Sequence, residues 1–314
     1  YRFFQNDGIK SSAIMAAHRE KTVGRAQAQE TTLAIQDSSY FIYTDHPKTK
    51  GLGEISMKKG RNVKKIYSRG LMMHACLAVT TEGLPLGLLS NKIVTRESKS
   101  KQQKAGARDR LPIEQKESYR WLESLNDTTV AMGKNRVVTV CDRESDMYDF
   151  FKLSKELESP VLVRSSADRA INKKSRYAEK DVIKLWEHMA NLPEAGSYEI
   201  EIQRKSKSKH CSLRLARKAV VTVRFGSFRM NPPRNHPKQQ SEDLPDIEMH
   251  AIYVLEENPP EGEEGIEWML LTNLKVTSFE EAYEKVRWYG LRWRIEMFFK
   301  VIKSGFRVES CRLA

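Results

Sequence analysis

Two short, continuous apolar runs with a helical segment between them restrict this chain more than any other feature. RVVTVCD at 136–142 is rich in β-branched residues, ends in an acid and reads as a buried strand. MYDFFKLSKEL reads as a helix, and PVLVRS at 160–165 as a second buried strand. Upstream, LAIQDSSYFIY at 33–43 is strand-like. LMMHACLAVT at 71–80 and PLGLLSNKIVT at 85–95 flank the turn Thr81-Glu82-Gly83 and predict a hairpin. Pro112 to Asn126 has helical spacing, with Ile113, Tyr119, Trp121 and Leu122 as core candidates. The order is then three strands, helix, strand, helix, strand, which is an α/β pattern.

Residues 11–30 predict a helix ahead of this series. From about 190 to 275 the pattern changes to strands without helices: SYEIEIQ, VVTVRF, EMHAIYVL and EWMLLTN. Two loops here, 229–246 and 256–266, are rich in Pro, Glu and Lys. A single long helix is expected over 279–305. Asp45-His46-Pro47 opens a polar, Gly- and Lys-rich loop of about 20 residues, long for a passive connection. A basic loop, SKSKQQKAGARDR, occupies 98–110. The expected organisation is a helical lead-in (1–30), a core in two parts (31–189 and 276–314), and a strand-rich insertion (190–275).

Charge narrows the class of partner. The 314 residues carry 54 Lys and Arg against 41 Asp and Glu, a net charge of +13, which favours a polyanion such as nucleic acid. No stretch approaches the ~18 consecutive apolar residues of a membrane-spanning helix. The first residues show neither a signal-peptide core nor an initiator Met, so the chain is expected to start inside a larger protein. Cys76, Cys141, Cys211 and Cys311 are far apart and form no CxxC pair, which excludes zinc-ribbon and thioredoxin readings and fits a reducing compartment.

Three carboxylates stand out by position: Asp37 within the first strand-like run, Asp142 at the end of a buried run, and Glu296 in the late helix. An acid in such a strand is costly unless it is paired or bound to a metal, and the alternative is a turn or capping acid. Around Glu296, the residues Tyr289, Arg292, Glu296, Lys300 and Lys303 follow spacings of 3, 4, 4 and 3, one stripe of a helix. One acid among three cations and a tyrosine suits a metal ligand beside phosphate contacts, or else a solvated face of ion pairs. Trp288, Trp293, Phe298 and Phe299 predict that this helix is substantially buried, with Trp293 packed in the core or else in contact with DNA. Two Asp and one Glu suit Mg²⁺ or Mn²⁺, and two such ions can serve phosphoryl transfer.

AIQDSSY (34–40), VTVCDRESDMYDF (138–150) and YGLRWRIEMFFKVIKSG (289–305) together resemble the DDE transposases of the insertion-sequence-four group, most closely the Tn-five type. The last stretch matches that group's signature Y-(2)-R-(3)-E-(6)-K as Tyr289, Arg292, Glu296 and Lys303. The resemblance spans nearly the whole chain. It implies an RNase H-like (retroviral integrase-like) mixed sheet with flanking helices and an inserted β-strand-rich subdomain. Asp37, Asp142 and Glu296 would be the metal-binding catalytic triad, with two Mg²⁺ or Mn²⁺ ions. Tyr289, Arg292, Lys303 and Lys300 would meet DNA phosphates. Trp268 would stack on a base flipped out during hairpin formation, or else be an ordinary strand tryptophan. Arg164 would contact DNA beside the active site, or else be a surface arginine. Asp146 and Glu144 also lie in the CDRESD stretch, and Asp142 is preferred because it ends the strand and matches the motif.

The implied activity is cut-and-paste transposition: cleavage at transposon ends, hairpin formation and opening, and strand transfer into target DNA. The implied partners are double-stranded DNA and, in the full-length protein, a second copy, in the bacterial cytoplasm at the nucleoid; no membrane is expected. The family's N-terminal recognition region and C-terminal dimerisation region have no counterpart in this sequence. Two rivals stay open: a catalytically inactive DNA-binding remnant that inhibits transposition, and an RNase H-like metal-dependent nuclease.

Overall fold

The computed structural model describes residues 6, 8–43, 48–57, 66–95, 111–134, 136–171, 182–202, 215–233, 236–237 and 244–311. The Asp45-His46-Pro47 break, the basic loop at 98–110 and Cys211 lie outside the described residues. In chain order the elements are α1 (Ser11–Gln27), β1 (Thr32–Ile42), β2 (Gly53–Met57), β3 (Ile66–Thr80), β4 (Pro85–Val94), α2 (Tyr119–Met132), β5 (Val137–Cys141), α3 (Tyr148–Glu156), β6 (Val161–Arg164), β7 (Ala170–Ile171), β8 (Ile183–Lys184) and α4 (Leu185–Ala190). They continue with β9 (Gly196–Ile202), β10 (Arg217–Met230), β11 (Ile247–Leu255), β12 (Glu267–Thr272), α5 (Phe279–Gly290) and α6 (Trp293–Lys300). The architecture is mixed α/β, with both parallel and antiparallel pairing. Two compact units form: Tyr1–Cys141 with Glu156–Ser159 and Leu291–Ala314, and Asp142–Lys155 with Pro160–Gly290.

In the first unit β1 is central. It runs antiparallel to β3 from Thr32↔Thr80 to Ile42↔Gly70, and parallel to β5 from Thr32↔Val137 to Ile35↔Val140. The far edge of β3 pairs with β4 along Met72–Val79 and with β2 along Ile66–Gly70. β3 therefore begins before the expected residue 71, and β2 arises within the expected long loop by covering the edge of that extension.

Alternation along β1 separates two faces. Ala34 packs with Ala26, Cys76, Ala78, Leu86, Leu89, Met132 and Val137 in a core covered by α1 and α2. α2 buries Trp121, Leu125, Thr128 and Met132 at helical spacing and stops where the Gly133 N–H donates to the Thr129 carbonyl. It starts later than expected because Ile113–Gln115 forms a separate 3-10 turn; Ile113 and Tyr119 are only half-buried.

In the second unit β9, β10, β11, β12 and β6 form an antiparallel series. All four strands expected between 190 and 275 are present. β6, read from sequence with the core, pairs with β12 in the register Thr272↔Leu162 to Leu270↔Arg164. α5 packs on this sheet through Tyr198, Tyr283 and Phe279, the first two rings meeting edge-on at 4.7 Å. Among the described residues, Cys76 and Cys141 are buried and Cys311 is exposed. Among the described residues no helix is long and apolar enough to cross a membrane.

Candidate active site

The long helix expected over 279–305 is three pieces. α5 ends at Gly290 and α6 begins at Trp293; between them Arg294 N–H donates to Leu291 O and Ile295 N–H to Arg292 O, a tight i→i+3 turn. After Lys300 the chain continues as a π-turn, Val301–Gly305, closed by Phe306 N–H to Val301 O at 2.9 Å. The expected stripe is thus interrupted twice. Tyr289 belongs to α5, Arg292 and Glu296 to the α6 segment, and Lys303 to the π-turn, whose extra residue shifts the helical phase. The expectation that the aromatic residues bury this helix holds for Trp288 and Phe299 and is corrected at Trp293. α6 buries Ile295 and Phe299, whereas Trp293 is 54% exposed, because only the former pair follows the i, i+4 line facing β1.

α6 is held along β1 within the first unit. The hairpin turn at Gly83 abuts its start: a Cβ there would lie 3.0 Å from Leu291 and from Arg294. With φ +92 as well, this turn requires glycine. Beyond the π-turn, the Glu309 carboxylate accepts a hydrogen bond from Ile42 N–H at 2.9 Å, and Lys303 Nζ lies 5.2 Å above the Phe41 ring.

This placement brings three expected residues together. Arg292 Nη1 donates to Asp37 Oδ2 at 3.2 Å, and Nη2 of the same guanidinium donates to Glu296 Oε1. Asp37 Oδ1 accepts the N–H of Ser38 at 2.7 Å. The Asp37 side chain is 19% exposed and that of Glu296 48%. Glu296 sits in the first turn of α6, where the helix dipole favours an anion. Lys300 is exposed at the end of α6.

Asp142 follows β5 directly and is half-buried. It caps the 3-10 turn Arg143–Ser145, its Oδ1 accepting Glu144 N–H at 2.9 Å and its carbonyl accepting Ser145 Oγ. Asp142 is the second residue beyond Val140, whose register partner is Ile35. The nearby acid Asp146 has a different setting. Its wholly buried carboxylate accepts from Ser165 Oγ, Ser166 N–H and Oγ, and Arg169, which ties the start of α3 to the loop after β6.

The second unit gathers the other expected residues. Arg164, at the end of β6, donates to Glu267 O at 3.2 Å, next to Trp268 on β12. The Trp268 ring meets Tyr289 edge-on at 5.6 Å, which leaves Tyr289 6% exposed. Glu267 Oε1 accepts from Tyr253 OH and Trp186 Nε1, and burial together with this carboxylate pushes the Tyr253 phenol above its usual range. A recess of about 820 Å³ opens elsewhere in this unit, lined in part by Arg229, His250 and Lys275, and holds none of the expected site residues.

A buried polar network behind Asp37 was not expected from the sequence. Gln36 and Ser38 point to the α2 face, where Arg120 Nε donates to Ser38 Oγ at 3.0 Å. Ser38 Oγ lies 2.9 Å from His74 Nδ1, and His74 Nε2 lies 3.3 Å from Gln36 Oε1. The Gln36 carbonyl oxygen only accepts, so the neutral His74 ring carries its proton on Nε2 and its Nδ1 accepts from the Ser38 hydroxyl, whose oxygen in turn accepts from Arg120. Burial lowers the His74 pKa to about 3, reinforced by the charges of Arg120 and Lys92. The available signal was one histidine inside the apolar run LMMHACLAVT.

Among the described residues, no group of three or more His, Cys, Asp or Glu side chains stands ready to hold a metal ion. Asp37 and Glu296 nevertheless fit one by chemistry: both are hard oxygen donors, and they already share a single cation, the Arg292 guanidinium. No protein-family model matches the chain.

Proposed function

We propose that this chain is the catalytic core of a DDE transposase of the insertion-sequence-four group, acting on double-stranded DNA with an RNase H-like fold. The observation that carries the reading is the joining of Asp37 and Glu296, from opposite ends of the sequence, through Arg292. Three of the residues singled out by the resemblance thereby share one small volume. The sheet order β4–β3–β1–β5, with β1 antiparallel to β3 and parallel to β5, supports the same fold.

Asp37 and Glu296 would hold Mg²⁺ or Mn²⁺, the role that the resemblance gives to Asp142 as well, and the ion would activate a water or hydroxyl and stabilise the leaving oxygen. Arg292, Lys300 and Lys303 supply cations along one helical segment for phosphate contacts, within a chain of net charge +13. In the second unit Arg164 adds a phosphate donor, and Trp268 a face for an extruded base once Tyr289 yields it. Strand cleavage, hairpin formation and strand transfer can then proceed without a covalent protein intermediate. The full-length protein would work as a homodimer on DNA in the bacterial cytoplasm.

The test is nicking of supercoiled plasmid with Mn²⁺, comparing this chain with Glu296→Gln. We expect nicking by the former and none by the variant, with DNA binding kept by both. Equal nicking by both would refute the role of Glu296. DNA binding without nicking by either would make the chain a binding protein, the remnant reading.

A further inference from the structure

We propose that Arg292 is a built-in cation that closes the Asp37–Glu296 pair until DNA draws it away, so that metal and DNA bind cooperatively. This rests on the functional reading above.

The guanidinium donates through one nitrogen to Asp37 Oδ2 and through the other to Glu296 Oε1. A divalent ion held by these carboxylates would compete for their oxygens, approaching to about 2.0–2.1 Å. Guanidinium and metal, as like charges a few ångströms apart on the same two acids, repel and so compete. Oδ1 of Asp37 accepts Ser38 N–H and Oδ2 accepts the guanidinium, so both oxygens of this carboxylate are already engaged. Without Arg292 the two acids would face each other as a −2 pair; with it their net charge is −1.

The closure is reversible by construction. Arg292 leaves from the α6 turn, and Glu296 is nearly half exposed, so solvent and a phosphate can reach the pair from that side. A phosphodiester offers the guanidinium two oxygens in the fork geometry that arginine matches best. Moving the fork from carboxylates to phosphate frees two metal-binding oxygens at the place where the scissile strand has arrived. Linkage makes the effect mutual, so metal must tighten DNA binding by the same factor. Free metal alone would find the acids occupied.

The test is a Mn²⁺ titration of the whole chain by calorimetry and by electron paramagnetic resonance of free Mn²⁺, with and without a short duplex of arbitrary sequence. Two modest ion pairs released together correspond to about tenfold in affinity. Arg292→Gln should bind Mn²⁺ about tenfold more tightly than the natural chain without DNA. The duplex should tighten Mn²⁺ binding by the natural chain about tenfold, and by the variant hardly at all. Arg292→Lys, with a single ammonium that cannot span both acids, should fall between. Equal or weaker Mn²⁺ binding by both variants would overturn the closure. Glu296→Gln separates the two ideas. If it loses Mn²⁺ while Arg292→Gln gains nothing, only the closure fails. If it binds Mn²⁺ unchanged, or no form binds Mn²⁺, the functional reading fails and takes the closure with it.

Discussion

His74 makes the stability of the first unit depend on pH in a direction that can be worked out. Its ring is wholly buried on β3, accepts from Ser38, donates toward Gln36 and stands edge-on to Trp121 at 4.7 Å. Burial lowers its pKa from 6.5 to about 3. Below pH 6.5 the unfolded chain takes up a proton that the native ring refuses. Stability therefore falls as pH drops through 6.5, and keeps falling until the native ring also protonates near 3. At about 1.36 kcal/mol per pH unit, the loss from pH 7.5 to pH 5 is about 2 kcal/mol, and about 5 kcal/mol over the whole interval. Protonation would also turn Nδ1 from acceptor to donor, so that Ser38 Oγ would have to accept from two cations, the imidazolium and Arg120, and its own proton would lose its acceptor. The assay is urea unfolding of the natural chain and His74→Gln at both pH values. The natural chain should lose about 2 kcal/mol more than the variant between them. Taking that difference cancels the contributions that the two proteins share. Equal losses in the two proteins would refute the buried, neutral assignment.

Asp146→Ala should destabilise the second unit by about 3–5 kcal/mol, because it strands the half-buried Arg169 and three donors from Ser165 and Ser166; thermal unfolding measures this. Gly87→Ala should cost about 1–3 kcal/mol and increase amide exchange in α1, since φ is +133 and the new Cβ would lie 2.3 Å from Thr22 Oγ1. Unchanged unfolding and exchange would count against that packing. The Cys76 thiol, pushed up to about 12 by burial, should resist alkylation in the native protein, whereas exposed Cys311 reacts. Mass-spectrometric mapping of labelled cysteines decides this, and rapid native labelling of Cys76 would contradict its burial.

Much of the fold was legible because its strands are compositionally loud. The runs around Leu33–Ile35, Val137–Cys141 and Val161–Val163 are apolar and largely β-branched, and they are buried strands in the structure. β2 was not legible, because an edge strand that only covers the extension of β3 needs no apolar alternation. The break between α5 and α6 was hidden because the i, i+3/i+4 periodicity of apolar residues runs on through a tight turn. Exposure of Trp293 could not be read either, since side-chain size says nothing about which way a helix faces. In the candidate site, the Arg292–Glu296 contact follows from i, i+4 spacing, while the approach of Asp37 depends on how α6 lies along β1, a tertiary fact. The Gln36–Ser38–His74–Arg120 network combines residues from three elements and has no local pattern to betray it.

The alternation of β1 has a consequence for how this sequence can change. Gln36 and Ser38 are committed to the network under α2, and Asp37, between them, to the opposite face. Gain or loss of one residue upstream within β1 would exchange these roles at a stroke. A carboxylate would be driven into the apolar side of the sheet, and an amide or hydroxyl would be offered to Arg292. Point changes in this strand are therefore graded in effect, whereas a one-codon insertion or deletion is all-or-none. β1 should tolerate substitution far more readily than any change in its length.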